Sequence, residues 1–174
     1  ALPLSKNPSR LVGIHMSALG HPRMGFGVVL QRSTGLRPSE LLRLEREDIE
    51  LPEDSGNSVS SHPIIIGLGM RTYTKVKREQ FVMLDPVKHR SEAGVLRVVM
   101  ELTPPGQRLF PYSRAQYAKL LGLSEAVMRV KTGWTPHSAR AGFATDEHIA
   151  GTDLSTLKSA GRWQADSSLR TYID

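Results

Sequence analysis

The stretch TGLRPSE, residues 34–40, ends one predicted helix and begins another. Apolar residues recur at helical spacing just before it, and Pro38 can open the next helix because the first helical position needs no N–H donor. Arg37 then lies beside a helix N-terminus, where backbone N–H groups and the helix dipole favour an anion. The stretch therefore predicts either a phosphate-binding arginine or a glycine turn in which Arg37 pairs with Glu40 or Glu47.

The remaining elements predict a mainly helical α+β domain with a small three-stranded antiparallel sheet at one edge. Residues 52–63, rich in Ser, Gly and Asp, are typical of a surface loop. Three predicted β-strands follow the loop, at residues 64–68, 71–74 and 80–84. A basic turn at residues 75–78 joins the last two strands. A helix is predicted from Glu92 to the prolines at 104 and 105, because Val95, Val98, Val99 and Leu102 recur at helical spacing. Further helices are predicted around 117–128, over 137–150 and over 154–161, with a last turn or two over 167–174.

Composition narrows the possible function classes. The 174 residues contain 23 Lys and Arg against 17 Asp and Glu, a net charge of +6, and no cysteine. This excludes a disulfide scaffold, a thiolate zinc site and a cysteine nucleophile. No apolar run reaches the roughly 18–20 residues of a membrane span, and the first residues lack a signal-peptide layout, so a soluble protein without membrane contact is expected. The positive charge favours a polyanionic partner such as nucleic acid.

A second motif, WTPHSAR at residues 134–140, places two chemistry-bearing side chains on one face of a helix start. His137 and Arg140 are three residues apart, so they are neighbours in the first turn and could serve one ligand. The alternative is a solvated arginine beside a capping or core histidine. The motif alone leaves both interpretations open.

The C-terminal segment carries two aromatic residues at a fixed spacing. Trp163 lies in Gly161-Arg162-Trp163-Gln164, and Tyr172 follows it by nine residues. By periodicity alone, Leu169, Tyr172 and Ile173 are the buried stripe of a terminal helix with Tyr172 at its amphipathic edge. A structural role for Tyr172 is therefore the alternative to a chemical one.

In their shared order, these motifs resemble the catalytic domain of the tyrosine recombinase (phage integrase) family over nearly the whole chain. That family has an arginine in T-G-L-R-x-x-E, then H-x-x-R, then His or Trp about two dozen residues later, and a tyrosine nine residues further on. A lysine on a β-hairpin completes the family set. Met83 stands where the family usually has a hairpin proline, and the residue eight positions before it is Lys75; Lys77 is the alternative for the same role. Trp at 163 is similar to the phage recombinase Cre. The resemblance thus implies the catalytic set Arg37, Lys75, His137, Arg140, Trp163 and Tyr172.

The resemblance also implies the chemistry. Tyr172 would attack a DNA phosphodiester and form a 3′-phosphotyrosyl intermediate with a free 5′-hydroxyl, without metal, cofactor or ATP. Arg37 and Arg140 would bind the phosphate oxygens, and His137 is the candidate base. Lys75 would protonate the leaving oxygen, and Trp163, which has one N–H and no lone pair, would position the site. The expected DNA contacts are Arg37, Lys75, Lys77, Arg140 and Arg162.

The same resemblance sets expectations for domain, partners and compartment. Residues 1–174 are expected to be one catalytic domain without the family's N-terminal core-binding domain, ending just after the nucleophile. Double-stranded DNA is the expected partner, with a tetramer on two DNA sites for the full-length protein and a monomer for this chain. The compartment is expected to be one that holds DNA, either a bacterial nucleoid or a eukaryotic nucleus. Two alternatives stay open: a catalytically idle DNA-binding module of the same fold, and DNA relaxation of the topoisomerase IB type.

Overall fold

A computed structural model describes residues 1–69 and 80–174 of the chain. The predicted strand 71–74 and the basic turn with Lys75 and Lys77 lie outside the described residues. The helices are α1 Lys6–Ala18, α2 Pro22–Thr34, α3 Pro38–Arg43, α4 Arg90–Glu101, α5 Arg114–Met128, α6 Ser138–Ile149, α7 Leu154–Gly161 and α8 Asp166–Ile173. The strands are β1 Ile49–Glu50, β2 Ile64–Gly67 and β3 Phe81–Leu84.

The described residues form two compact units. The first combines Ala1–Leu41 with Tyr112–Asp174, and the second is Leu42–Pro111. The first unit is helical, and the second contains the sheet and α4. The predicted fold class, mainly helical with a small three-stranded antiparallel sheet, is thereby confirmed for the described residues. None of their helices has the length and apolar character of a bilayer span.

The sheet has the order β1-β2-β3, with both pairs antiparallel. Ile64 pairs with Leu84 and Ile66 with Val82, and all four side chains are buried on the same face. The predicted strands over 64–68 and 80–84 are thus confirmed, each slightly shorter. The third strand of the described sheet is β1, which sequence analysis missed because two residues are too few to show a period of two.

Helix α4 is present, but it buries a different stripe from the one that predicted it. Leu96, Val99 and Met100, spaced i, i+3 and i+4, are buried. Two apolar stripes overlap on this helix, and periodicity cannot rank them because both satisfy the same spacing. Three members of the predicting repeat are exposed, namely Val95, Val98 and Leu102.

Helix α1 was not predicted, although it is a large part of the first unit. Val12 and Met16, one turn apart, are fully buried, as are Met24 and Val28 of α2. The apolar residues Leu11 and Ile14, by contrast, are exposed, so the hydrophobic pattern of this segment has no single clear face. Helices α1 and α2 pack on each other, and the segment 34–40 follows directly at the end of α2.

Candidate active site

Arg37 is held where α2 ends and α3 begins. Gly35 terminates α2 with φ of 73°, and a Cβ there would approach the Phe143 ring of α6 to 2.7 Å, so only glycine fits. The Arg37 guanidinium donates from Nη1 to Glu40 Oε1 at 3.0 Å and from Nη2 to the Arg162 carbonyl at 3.2 Å. Of the two glutamates considered from the sequence, Glu40 is therefore the partner. The Arg37 side chain stays 40% exposed, so its remaining N–H groups are available to an anion.

Arg140 lies in the first turn of α6 and is buried. Its Nη1 donates to the Gly35 carbonyl at 2.6 Å and its Nη2 to the Gly161 carbonyl at 2.7 Å. Its Cζ also lies 4.1 Å from the centre of the Trp163 ring, a cation–π contact. Burial, and after it the charges of Arg37 and Arg162, lower the pKa of Arg140 to about 9, so the group remains positive at neutral pH.

Trp163 and Tyr172 pack in one apolar cluster at the end of the chain. The Trp163 ring stacks on Phe143, with centroids 6.5 Å apart and planes 8° apart, and lies 6.1 Å from the Tyr172 ring. Leu169 is fully buried, whereas Tyr172 is half-buried at the cluster edge. Thr145 Oγ1 of α6 donates to the Tyr172 carbonyl at 2.9 Å. The Tyr172 ring and the Arg140 guanidinium therefore both contact the same indole.

His137 precedes α6 and is half-buried. Burial lowers its pKa, and the nearby positive charges of Arg114 and Arg140 lower it further. Because its ordinary pKa is about 6.5, this histidine is mostly neutral at pH 7 and has a free lone pair.

A buried amide fixes the backbone beside His137. Gln31 of α2 donates through Nε2 to the Pro136 carbonyl at 2.9 Å, and its Oε1 accepts from the Tyr117 hydroxyl at 2.6 Å. Gln31 and Tyr117 are fully buried, so loss of either partner would leave an unsatisfied polar group. Gln31 was not among the predicted site residues, since a lone glutamine in a helix has no recognisable spacing to a partner.

The side chain of Arg162 is less exposed than its expected DNA contact would require. We predicted a DNA contact, but its side chain is only 9% exposed and its Nη1 is hydrogen-bonded to both carboxylate oxygens of Glu40. The residue lies at the end of α7, where its φ is 57°. A direct contact with DNA would require this buried ion pair to break.

The first unit thus gathers most of the predicted catalytic set. Two guanidinium groups, those of Arg37 and Arg162, share the Glu40 carboxylate, and Arg140 adds a third positive charge bonded only to main-chain carbonyls. The cluster therefore has an excess of positive charge beside a phenol and a neutral imidazole. Among residues 1–69 and 80–174, no group of three or more His, Cys, Asp or Glu side chains is arranged to hold a metal ion. The predicted residues that meet here are Arg37, His137, Arg140, Trp163 and Tyr172.

Gly161→Ala should disrupt this site through Trp163. A Cβ at Gly161 would lie 1.5 Å from Trp163 Cζ3, and the ring cannot withdraw easily because it is packed on Phe143 and Arg140. We expect a loss of about 1–3 kcal/mol in the free energy of unfolding. Gly122→Ala is the matched control: its Cβ would meet nothing within 4 Å in α5, and alanine should stabilise the helix by up to about 1 kcal/mol. Equal midpoints for the two variants in thermal unfolding would contradict this packing.

Comparison with solved structures identifies the fold. The chain superposes on the XerH site-specific recombinase bound to its difH substrate, with a TM-score of 0.71 and 18% identity, covering 99% of this chain and 50% of that one. For the XerA recombinase the TM-score is 0.71 with 17% identity, covering 100% and 59%, and for the Tn1549 transposon integrase in complex with circular intermediate DNA it is 0.68 with 14% identity, covering 99% and 61%. At these identities the likeness is one of fold.

The chain spans between 50% and 61% of the length of these three structures. A search of curated proteins gave no match. The similarity of Trp163 to Cre stays a prediction. Residues 22–174 match the model of the phage integrase family, and the chain therefore belongs to that family.

Proposed function

We propose that this chain is the catalytic part of a site-specific DNA recombinase that cleaves and rejoins DNA strands through Tyr172. The observation that supports this most directly is the arrangement around Trp163: the Arg140 guanidinium and the Tyr172 ring contact the same indole. A cation and a phenol brought together by separate helices are the parts needed for attack on a phosphodiester. Double-stranded DNA is the proposed partner, consistent with the circular intermediate DNA named in the Tn1549 integrase complex.

Arg37 and Arg140 would stabilise the transition state. Attack on phosphorus increases the negative charge on the nonbridging oxygens, and two guanidinium groups fixed beforehand can meet that charge without reorganising. Both are preorganised here: Arg140 by two backbone carbonyls, Arg37 by Glu40 and the Arg162 carbonyl. Burial of the cluster strengthens these interactions relative to water.

Tyr172 would supply the attacking oxygen and His137 would accept its proton. A free phenol has a pKa of about 10, so few tyrosines are ionised at pH 7 and a base or positive surroundings are needed. The lowered pKa of His137 keeps its imidazole neutral and therefore able to accept a proton. Trp163, which stacks on Phe143, would hold the phenol and the Arg140 guanidinium in fixed positions relative to each other.

The bond changes balance without an added cofactor. The Tyr172 oxygen forms a bond to phosphorus as the bond from phosphorus to the 5′ oxygen breaks, giving a 3′-phosphotyrosine. The departing 5′ oxygen takes a proton from Lys75, with Lys77 as the alternative. One phosphoester replaces another, so a second 5′-hydroxyl can reverse or redirect the step without ATP or metal. The tetramer expected for the whole protein, and the monomer for this chain, remain part of the proposal.

A covalent-capture selection tests the proposal without a known target sequence. The chain is incubated with a library of nicked DNA duplexes that carry a randomised central segment, and complexes that survive SDS are recovered and sequenced. Release of the short fragment beyond the nick traps the intermediate. We expect enrichment of defined duplexes joined through the 3′ phosphate. Retention of DNA without any SDS-resistant product would favour the idle binding module, and capture without sequence preference would favour topoisomerase-like relaxation.

The cleavage rate should fall in mild acid. If neutral His137 is the base, the rate should be level near pH 7 and fall as the pH drops through the His137 pKa, which lies below 6.5 in the folded chain. His137→Gln should slow cleavage and remove this acid limb. Arg114→Met should shift the limb to higher pH, because Arg114 is exposed and is one of the charges that lower the His137 pKa. An unchanged limb in His137→Gln would assign the base elsewhere.

A leaving-group substitution distinguishes Lys75 from Lys77. A 5′-thiolate leaves without a proton, so a duplex with sulfur at that position needs no general acid. We expect Lys75→Ala to be slow on normal DNA and close to the wild-type rate on the sulfur-containing duplex, while Lys77→Ala behaves alike on both. Rescue of Lys77→Ala alone would transfer the role to Lys77.

A further inference from the structure

Arg162 holds Arg37 from two sides. Its main-chain carbonyl accepts a hydrogen bond from Arg37 Nη2 at 3.2 Å, and its guanidinium is ion-paired with Glu40, which accepts from Arg37 Nη1 at 3.0 Å. Two of the five Arg37 donor positions are therefore fixed by one residue far along the chain and by the carboxylate it holds. The three residues form one connected network.

The backbone conformation of Arg162 is energetically unfavourable for a residue other than glycine. The residue adopts φ of 57° at the end of α7, a left-handed conformation that helix ends usually give to glycine. Among the described residues, only Arg129 shares this feature with it outside glycine, with φ of 56° at the end of α5. Arg129 is exposed, whereas the side chain of Arg162 is 9% exposed. The strained conformation of Arg162 therefore comes with a buried side chain that has specific partners.

The burial of the Arg162 guanidinium is also costly. Its Nε and Nη2 atoms are buried and have no hydrogen-bond partner in the described part of the chain. An arginine kept only for solubility or for DNA contact would not bury unsatisfied donors. What it does achieve is a second pairing for Glu40, so that one carboxylate faces two guanidinium groups and the pair with Arg37 is held in place.

We propose that Arg162 is a positioning residue for Arg37: it orients the phosphate-binding guanidinium through its carbonyl and through Glu40, and does not itself touch DNA. The inference rests on the proposed function for its catalytic consequence, but the orientation of Arg37 is a property of the protein alone. It can therefore be measured both with and without DNA chemistry.

The first measurement compares Arg162→Met with Arg129→Met, the same substitution in the same backbone conformation. On a duplex recovered from the covalent-capture selection, we expect Arg162→Met to cleave about tenfold or more slower than Arg129→Met. A duplex with a methylphosphonate at the cleavage position lacks the charge that Arg37 would neutralise. On this duplex the difference in cleavage rate between Arg162→Met and Arg129→Met should therefore be smaller. Arg162→Lys keeps a positive charge beside Glu40 and keeps the main-chain carbonyl of residue 162. It should therefore cleave faster than Arg162→Met, though more slowly than the wild type.

The second measurement needs no DNA. The Nε–H resonance of Arg37, assigned by its loss in Arg37→Lys, is followed by NMR in wild type and in the two methionine variants. We expect it to exchange faster with water and to broaden in Arg162→Met and not in Arg129→Met. Thermal unfolding verifies the fold, and if Arg162→Met is unfolded, the comparison is made with Arg162→Gln, which removes the ion pair with Glu40 but leaves the direct Arg37–Glu40 hydrogen bond in place.

The outcomes separate the inference from the proposed function. Equal cleavage by the two methionine variants, or a deficit of the same size on both duplexes, would overturn the positioning role. If the wild-type chain captures no duplex, the proposed function fails and the NMR result decides: altered Arg37 exchange supports the positioning role, and unaltered exchange overturns it.

Discussion

Tyr172→Phe is expected to abolish the SDS-resistant protein–DNA complex while leaving the fold intact. The substitution removes only the phenolic oxygen, which is the atom that would bond to phosphorus. The ring can still pack 6.1 Å from Trp163, and the main-chain carbonyl of residue 172 can still accept from Thr145. A denaturing gel of the protein with a captured duplex measures the covalent product, and thermal unfolding measures the fold.

Tyr112→Phe is the matched control for this change. Tyr112 is also half-buried, and its hydroxyl lies 3.2 Å from His21 Nδ1. The control should therefore lose the hydroxyl contact with His21 and keep full covalent capture. A covalent band that persists in Tyr172→Phe would place the nucleophile on another residue and would leave Tyr172 with the structural role considered from its periodicity.

Arg140→Ala is expected to slow cleavage by a factor on the order of 10² to 10³, as loss of a preorganised oxyanion donor does. The physical reason is the removal of a buried cation from the centre of the site. The variant also leaves the Gly35 and Gly161 carbonyls without this donor, at about 1–3 kcal/mol for each buried group left unpaired. Single-turnover cleavage at a temperature well below the unfolding midpoint separates the two effects.

Two controls define what Arg140 contributes. Arg97→Ala removes one positive charge elsewhere, from the Arg97–Glu53 pair of the second unit, and should change cleavage little. Arg140→Lys keeps the charge but cannot reproduce the planar fork that reaches two carbonyls, so it should remain strongly impaired. A cleavage rate in Arg140→Ala close to that of Arg97→Ala would show that Arg140 serves the fold and not the chemistry.

Local sequence patterns predict those parts of this fold that form from neighbouring residues. The helices around Pro38, His137 and Leu154 and the strands at 64–68 and 80–84 have clear starts, ends or periodicity, and the structure contains them. Helix α1 and strand β1 lack such signals, because one has apolar residues on more than one face and the other is two residues long. Their formation depends on partners, namely α2 for the first and β2 for the second.

By itself, the sequence determined the family, the fold class and which side chains are candidates for the chemistry, because the motifs depend on residue types at fixed short spacings. Tertiary structure alone decided what those side chains touch. The Glu40–Arg162 ion pair and the Gln31–Pro136 hydrogen bond join residues more than one hundred positions apart, and no local spacing encodes such contacts. Arg162, expected to contact DNA, has a side chain that is only 9% exposed and is paired with Glu40, a residue of α3 that no local spacing connects to it.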